Sequence, residues 1–520
     1  MEGKWKILWI DDEIDMLKSH ILFLEERGYC VKSVTNGEDA VILSKKEKFD
    51  IILLDEMMPG KDGLSTLIEM KNLNPFVPIV MITKSEEEEL MNEAIGRKID
   101  DFLTKPVNPS QILSVCKKIL ESRKIKEEKL SKDYISDYRE ISLKLQEDLD
   151  YNDWIEIYAN LSDWEMDLDK HSDVGLEQTL REQIRECNIE FSRFIEKNYL
   201  NWIHSRKRPV LSVDIIKQFV IPELIEGKKV FFIIFDCLRN DQWLALEPFF
   251  YEFYDIYKEY HFSILPTATP YARNSLFSGL FPFEIEKEFP DIWQKGLEDE
   301  SSRNRYERLF LEKLLSNQNI NLKQGLKYIK ILDVEESKRV EKSLDTLLNF
   351  SLVSIVVNFV DILTHKRSES EVLKEIAPNE PAYRSLIRSW FEHSSIFQIL
   401  KELSTKDVTI ILTSDHGSIR CLRPTMVIGD RETSTNLRYK FGRNLKCNSK
   451  HSLFIKKPEE YLLPSRGVNC QYLIAKEDFY LVYPTNYNKY VNLYKESFQH
   501  GGISMEEMIL PVIKMEGKRK

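Results

Sequence analysis

Short apolar runs that stop at an acidic residue recur along this chain. Ile7–Ile10 stops at Asp11-Asp12, Ile51–Leu54 at Asp55, Val230–Phe235 at Asp236, and Leu352–Val360 at Asp361. Thr409–Thr413 runs through Ser414 to Asp415-His416-Gly417. Continuous apolar runs of this length suit strands buried on both faces. Such strands belong to sheets that carry helices on each side. In an open α/β sheet, functional groups collect off the carboxyl ends of the strands. The chain is therefore expected to present carboxylates and imidazoles along sheet edges.

At 520 residues the chain exceeds one ordinary domain, and its 42% hydrophobic content supports real cores. A net charge of -11 argues against general DNA binding, so any phosphate contact needs a local basic patch. The seven cysteines include no Cys-x-x-Cys pair, which points to a reducing compartment. Cys237 and Cys421 read as buried small residues. With no signal peptide and no apolar run of membrane-spanning length, a cytoplasmic protein without membrane insertion is expected.

Residues 1–120 alternate strand and helix patterns, with helices over Ile14–Leu24 and Leu64–Lys71. Asp11 and Asp12 close the first strand, Asp55 the third, Thr83 the fourth and Lys105-Pro106 the fifth. Three carboxylates on one edge repel each other unless a divalent cation joins them, and Mg²⁺ suits oxygen ligands. A carboxylate beside Mg²⁺ and a lysine can accept a phosphoryl group, since both cations neutralise the transferred oxygens. Thr83 can hydrogen-bond the new group, and Phe102 can then fill the space it leaves.

This set resembles the flavodoxin-like receiver domain of two-component response regulators. The resemblance implies Asp55 as phosphoacceptor for a sensor histidine kinase. It implies Asp11, Asp12, Asp55 and the Met57 carbonyl as Mg²⁺ ligands. Lys105 becomes the phosphoryl contact, and Thr83 with Phe102 the switch. Lys84 departs from the family, which usually has a small residue there.

Residues 121–205 carry apolar residues at helical steps, among them Trp154, Ile157, Tyr158, Leu161 and Leu168, then Leu180, Ile184, Cys187, Phe191 and Ile195. Breaks at 150–152 and 170–173 predict a three-helix bundle joined to the last receiver helix. Its aromatic stripe reads as core.

Residues 206–520 return to α/β patterning without a helix-turn-helix unit. Phe262–Leu265 reads as a short strand leading into Pro266-Thr267-Ala268-Thr269-Pro270, and Ile509–Met515 as a terminal strand. His365 lies four residues after Asp361, so both can face one ion. Asp361, His365 and His500 form one candidate zinc set with an open position. Asp236, Asp415 and His416 form a second, with the Thr269 oxygen as a further ligand. Two ions about 4 Å apart clamp the attacking and leaving oxygens of an in-line displacement. Metal coordination would also make Thr269 a competent nucleophile. Mn²⁺ fits several of the same ligands. Thr267 competes as nucleophile, and Arg273 and Asn274 follow within a turn as donors to phosphoryl oxygens. Between Arg420 and Lys446, Arg420, Arg423, Arg431, Arg438, Lys440, Arg443 and Lys446 face only Asp430 and Glu432. That segment is expected to gather an anionic substrate.

Order and spacing of these residues resemble the alkaline phosphatase superfamily, and within it the PglZ domain. Receiver, bundle and PglZ domain in one chain resemble PorX-type response regulators of Bacteroidota. The resemblance implies a phosphodiesterase acting on cyclic or linear oligonucleotides, a homodimer on phosphorylation, and control of type IX secretion. Its rivals are a metal-stabilised module that binds a sigma factor, kinase or secretion component, and a phosphomonoesterase or phosphomutase.

Overall fold

The computed structural model describes residues 5–74, 76–84, 99–170, 175–295, 305–430, 434–465, 467 and 469–518. They fall into two compact units, Met1–Asp137 and Tyr138–Lys520.

The first unit holds strands β1 (Lys6–Ile10), β2 (Cys30–Val34), β3 (Ile51–Asp55), β4 (Ile79–Thr83) and β5 (Asp101–Thr104). They form a parallel sheet in the order β2-β1-β3-β4-β5. Its described helices include α1 (Lys18–Glu25), α2 (Gly37–Lys46) and α3 (Gly63–Leu73). The expected helix from Ile14 opens as a 3₁₀ turn, Ile14–Leu17, before α1. Leu8, Ile10, Ile52 and Leu54 pack into one core, while Ile7, Trp9, Ile51 and Leu53 pack into another. Successive side chains point to opposite faces, so a strand covered on both sides must be apolar throughout. Register then sets the edge: Ile10 pairs with Leu54, and Asp55 with Ile82. Asp11, Asp55 and Thr83 therefore emerge side by side. This is the flavodoxin-like α/β receiver fold.

Helix α4 (Pro109–Lys144) runs unbroken for 36 residues. It is followed by α5 (Tyr151–Lys170) and α6 (Glu177–His204). The second expected break falls mostly on residues outside those described. The aromatic stripe is core: Trp154 meets Phe191 at 5.3 Å, and Phe194 meets Trp202 at 5.4 Å between ring centroids. Trp202 also meets Phe262 of the following α/β region at 5.3 Å. The two helices thus share a core with that region.

The remaining sheet contains β6 (Val230–Phe235), β7 (Tyr254–Phe262), β8 (Leu326–Ile331), β9 (Leu352–Val357), β10 (Thr409–Thr413) and β11 (Ile509–Gly517). Their order is β7-β11-β10-β6-β9-β8, with β11 antiparallel to both neighbours. Central β6 is buried on both faces and is followed by helix α7 (Asn240–Leu246). Phe231, Ile233 and Phe235 join Val353, Ile355, Ile410 and Leu412 on one side, each burial contributing about 2 kcal/mol. On the other side Phe232 meets Phe277 of helix α8 (Thr269–Ser278) at 6.2 Å.

Two expected elements differ. The strand placed at Phe262–Leu265 is instead β7, which ends at Phe262 after pairing with β11. The strand placed at Leu352–Val360 ends at Val357, and Asn358 precedes helix α9 (Phe359–Glu369). A continuous apolar run does not show where strand yields to helix, because both are apolar when buried. Asp361 and His365 therefore lie on a helix, not at a strand end. Among the described residues, no helix is long and apolar enough to cross a membrane.

Candidate functional site

β6 and β10 are parallel neighbours with Thr413 opposite Ile234. Asp236 follows β6, and Asp415-His416 follows β10, so the three converge. His416 Nε2 lies 3.7 Å from Asp236 Oδ1 and 3.6 Å from Asp415 Oδ2. A second group forms beside it. Asp361 occupies the first turn of α9 and His365 the next turn. His500 follows Phe498–Gln499, which pairs antiparallel with Ile419–Arg420 just beyond β10. That short ladder brings His500 back to the site. His365 Nε2 is 3.4 Å from Asp361 Oδ1, while His500 Nε2 is 3.5 Å from Asp361 Oδ1 and 3.2 Å from His365 Nε2. The His416 and His500 rings stack with centroids 4.3 Å apart, joining the groups. In each triad one ligand atom per residue falls within 4.8 Å of the others. Gly417 permits this closeness, since a Cβ there would lie 1.9 Å from the Glu506 carbonyl oxygen.

The first triad is fully buried, whereas the His365 side chain is 52% exposed. The second triad is therefore the side open to solvent. Burial raises Asp236 well above the usual carboxylate range, against the pull of Arg273. Burial also disfavours ionised Asp415, but Arg273 and His416 outweigh it and hold that carboxyl low. Asp361 is lowered likewise, its three neighbouring histidines overcoming desolvation. Desolvation and the charge of His416 hold the His500 imidazole well below its usual value. Asp236 Oδ1 and Asp361 Oδ1 are buried without a hydrogen bond. Orphaned carboxylate oxygens beside imidazole nitrogens are groups a divalent cation would satisfy, and the donor set suits a zinc-like ion.

Thr269 is the first residue of α8, and its Oγ1 lies 2.9 Å from His416 Nε2. Thr267 is committed elsewhere: its hydroxyl donates to the Gly502 carbonyl at 2.8 Å and accepts from the Gly501 N–H at 3.1 Å. The geometry therefore favours Thr269. Arg273 and Asn274 do not take the expected place as phosphoryl donors. Arg273 is wholly buried and pairs with Asp236, with Asp415 at 3.0 Å and with Glu307 at 3.6 Å. Asn274 donates to the Pro270 carbonyl within α8. On the helix Arg273 faces inward, beneath the carboxylates. Two supporting residues carried no sequence signal. Glu307 is one of two acids on the helix Glu307–Asn317, and Asn358 donates to Asp236 Oδ2 at 2.7 Å.

The basic segment also changes meaning. Arg420 pairs with Glu496, Arg423 with Glu477 and Asp478, and Arg443 with Asp430. Arg438 is fully buried and pairs with Glu507 at 2.6 Å. Glu507 in turn accepts from Gly502 N–H, so Arg438 braces the His500 loop. Lys440 is buried with Nζ 4.5 Å from the Tyr483 ring centre, and burial pushes its ammonium down to about 7. Arg431 and Glu432 lie outside the described residues. A window of sequence counts charges without the carboxylates that folding brings to them from 477–507.

In the receiver, Lys105 Nζ lies 3.0 Å from both Asp11 Oδ2 and Asp55 Oδ2. Asp12 completes a carboxylate group with them. The Thr83 hydroxyl donates to the Glu56 carboxylate, a partner the sequence did not suggest. Phe102 is 37% exposed on β5, and Met57 is exposed in the loop after β3. That loop borders a cavity of about 550 Å³ lined by Glu56, Met57, Met58, Pro59, Asp62 and Leu64. Lys84 reaches toward Glu13, 3.9 Å away.

Burial pushes Asp55 up to about 6, Lys105 pulling it down and Asp11 pushing it further up. Its folded pKa exceeds the unfolded value, so folding favours the protonated form. That stabilisation is present below the unfolded pKa and is lost as pH rises through about 6. Asp55→Asn should therefore stabilise the receiver above pH 6 by about 1 kcal/mol after solvent screening. Denaturant unfolding at pH 4 and pH 7.5 measures this. Mg²⁺ should stabilise the parent protein at pH 7.5 and leave the variant unmoved.

Three family models match the chain. They are the response regulator receiver domain over residues 7–117, the PorX response regulator linker domain over 124–203, and the BREX system PglZ alkaline phosphatase-like domain over 215–515. Among curated proteins, the transcriptional regulatory protein ResD of Bacillus subtilis (strain 168) is 31% identical over 115 residues, 22% of this chain and 48% of that protein. The alkaline phosphatase synthesis transcriptional regulatory protein PhoP of the same organism is 34% identical over 122 residues, 23% and 50% respectively. The chain thus spans about half the length of these curated relatives. A solved structure of Vibrio cholerae chemotaxis protein CheY4 is 28% identical, with a TM-score of 0.22, covering 22% of this chain and 99% of that one. The receiver implies a phosphodonor such as a histidine kinase. With the alkaline phosphatase-like domain spanning more than half of its residues, behind a receiver and a PorX linker, the chain belongs to the PglZ family and has the make-up of a PorX-type response regulator.

Proposed function

We propose that this regulator carries a zinc-dependent phosphodiesterase under the control of phosphorylation at Asp55. The observation that supports it most is the Thr269 hydroxyl, 2.9 Å from His416 Nε2, between two Asp/His triads. Thr269 sits at the N-terminus of α8, where backbone N–H groups favour an anionic phosphate. Arg273 beneath the site offsets the charge of Asp236 and Asp415, so both carboxylates stay aimed at one point. Asp236, Asp415, His416 and Thr269 would hold one zinc, and Asp361, His365 and His500 the other. When bound, the two ions would clamp the attacking and leaving oxygens of a displacement at phosphorus. In the receiver, Asp11, Asp12, Asp55 and the Met57 carbonyl would hold Mg²⁺, with Lys105 ready for the phosphoryl oxygens.

The PorX-type make-up supports further proposals: dimerisation on phosphorylation, binding of a sigma factor or secretion component, and control of type IX secretion. Oligonucleotides are the proposed diesters, on resemblance alone, since Arg420, Arg423, Arg438 and Arg443 of the basic segment pair internally. Metal analysis, with initial rates on cyclic and linear dinucleotides and on monoesters, each with and without beryllofluoride, tests the reading. Two zinc ions per chain and at least about tenfold preference for diesters are expected. Monoester cleavage without diester cleavage would make it a phosphomonoesterase instead.

A further inference from the structure

One face of α6 carries buried polar side chains at 188, 192 and 199, positions that share a helical face. Asn188, Ser192 and Tyr199 are each no more than 3% exposed. Each holds the backbone of a loop that carries a candidate catalytic residue. Asn188 Oδ1 accepts the Met505 N–H at 2.9 Å, and its Nδ2 donates to the Glu506 carboxylate oxygens at 3.2 and 3.0 Å. Ser192 donates to the Ile503 carbonyl at 3.4 Å. These residues follow His500 directly in sequence. The Tyr199 hydroxyl accepts the Leu265 N–H at 2.9 Å, four residues ahead of Thr269. The two loops also grip each other through Thr267, Gly501 and Gly502. The Glu506 carbonyl abuts Gly417, next to His416.

Burying polar groups costs free energy unless each finds a partner. Three of them on one helix face, all matched to two loops of one site, are more than core packing requires. The same helix reaches back to α4, where Gln183 donates to the Tyr138 carbonyl at 3.2 Å.

We propose that Asn188, Ser192 and Tyr199 are positioning residues, and that α6 sets the separation between the Thr269 loop and the His500 loop. A shift of α6 would then move the nucleophile relative to the second triad. The catalytic consequence rests on the phosphodiesterase reading; the structural one does not.

The test uses the full chain with Asn188→Ala, Ser192→Ala and Tyr199→Phe. The last two each remove a single hydroxyl and so keep the fold. Hydrogen exchange is followed without metal, Co²⁺ binding by titration, and diester turnover separately. Asn188→Ala and Ser192→Ala should speed exchange in 500–508 and weaken Co²⁺ binding at one of two sites about tenfold. Tyr199→Phe should speed exchange in 263–269 and lower kcat about tenfold at unchanged KM and Co²⁺ affinity. Exchange that rises evenly along the chain, or does not change in either loop, overturns the proposal. If the parent protein cleaves no diester, the phosphodiesterase reading fails, while the exchange and Co²⁺ arms still decide this one.

Discussion

Asp415→Ala is expected to lower kcat/KM for phosphodiesters by at least about 10³-fold and to remove one of two bound metals. Asp415 is both a member of the buried triad and the partner of Arg273 at 3.0 Å. Its Oδ1 also accepts the Cys237 N–H at 3.4 Å, which ties the turn after β6 to the turn after β10. Among the described residues, removing it leaves the buried guanidinium paired with Asp236 and Glu307. Breaking a buried ion pair from one side costs about 3 kcal/mol or more, so the melting temperature should fall as well. Asp415→Asn separates the two effects. The amide keeps the size and one acceptor oxygen, so much of the stability should return, but activity should not. Zinc stoichiometry, thermal unfolding and diester kinetics on both variants measure this. Full activity with two zinc ions in Asp415→Ala would sink the site assignment.

Thr269→Val should abolish turnover, by about 10³-fold or more, with a stability change within about 1 kcal/mol. The side chain is partly exposed at the start of α8 and makes one hydrogen bond, to His416. Valine has nearly the same shape, and both Asp/His triads remain intact. The variant should therefore bind metal, accept phosphate at Asp55 and keep any partner-binding role. A domain that serves chiefly as an interaction module would retain its whole function here, and an enzyme would lose it. Thr267→Val is the companion variant. Its hydroxyl ties Gly501 and Gly502, so loosened metal binding is expected in place of lost nucleophile chemistry. Mass spectrometry of a trapped phospho-enzyme should find the phosphoryl group on residue 269. Finding it on Thr267 would reverse the assignment.

Much of the candidate site was legible because its candidate ligands are locally encoded. A strand buried on both faces must be apolar, so the polar residues that close it mark an edge, as at Asp11, Asp55, Asp236 and Ser414-Asp415. The structure brings Asp236, Asp415 and His416 together, and Asp361, His365 and His500, in the groups expected from their order. Asp361 joins its expected group but lies on a helix and not at a strand end, because a buried apolar run does not show where strand yields to helix.

Charge and support were the illegible parts. Arg273 reads as a substrate contact four residues after Thr269, yet it is sealed under the carboxylates. Arg438 reads as part of an exposed basic stretch, yet it is buried against Glu507. Asn188, Ser192 and Tyr199 were hidden inside what looked like an ordinary aromatic core.

The sequence by itself determined that two α/β regions flank a helical stretch, and which residues close the central buried strands, because burial dictates apolar runs and polar residues interrupt them at the sheet edge. Only the tertiary structure decided which charges face solvent, which threonine faces His416, and that α6 holds both the loop before Thr269 and the loop after His500. Those outcomes depend on partners tens to hundreds of residues away, and no local pattern of side chains specifies them.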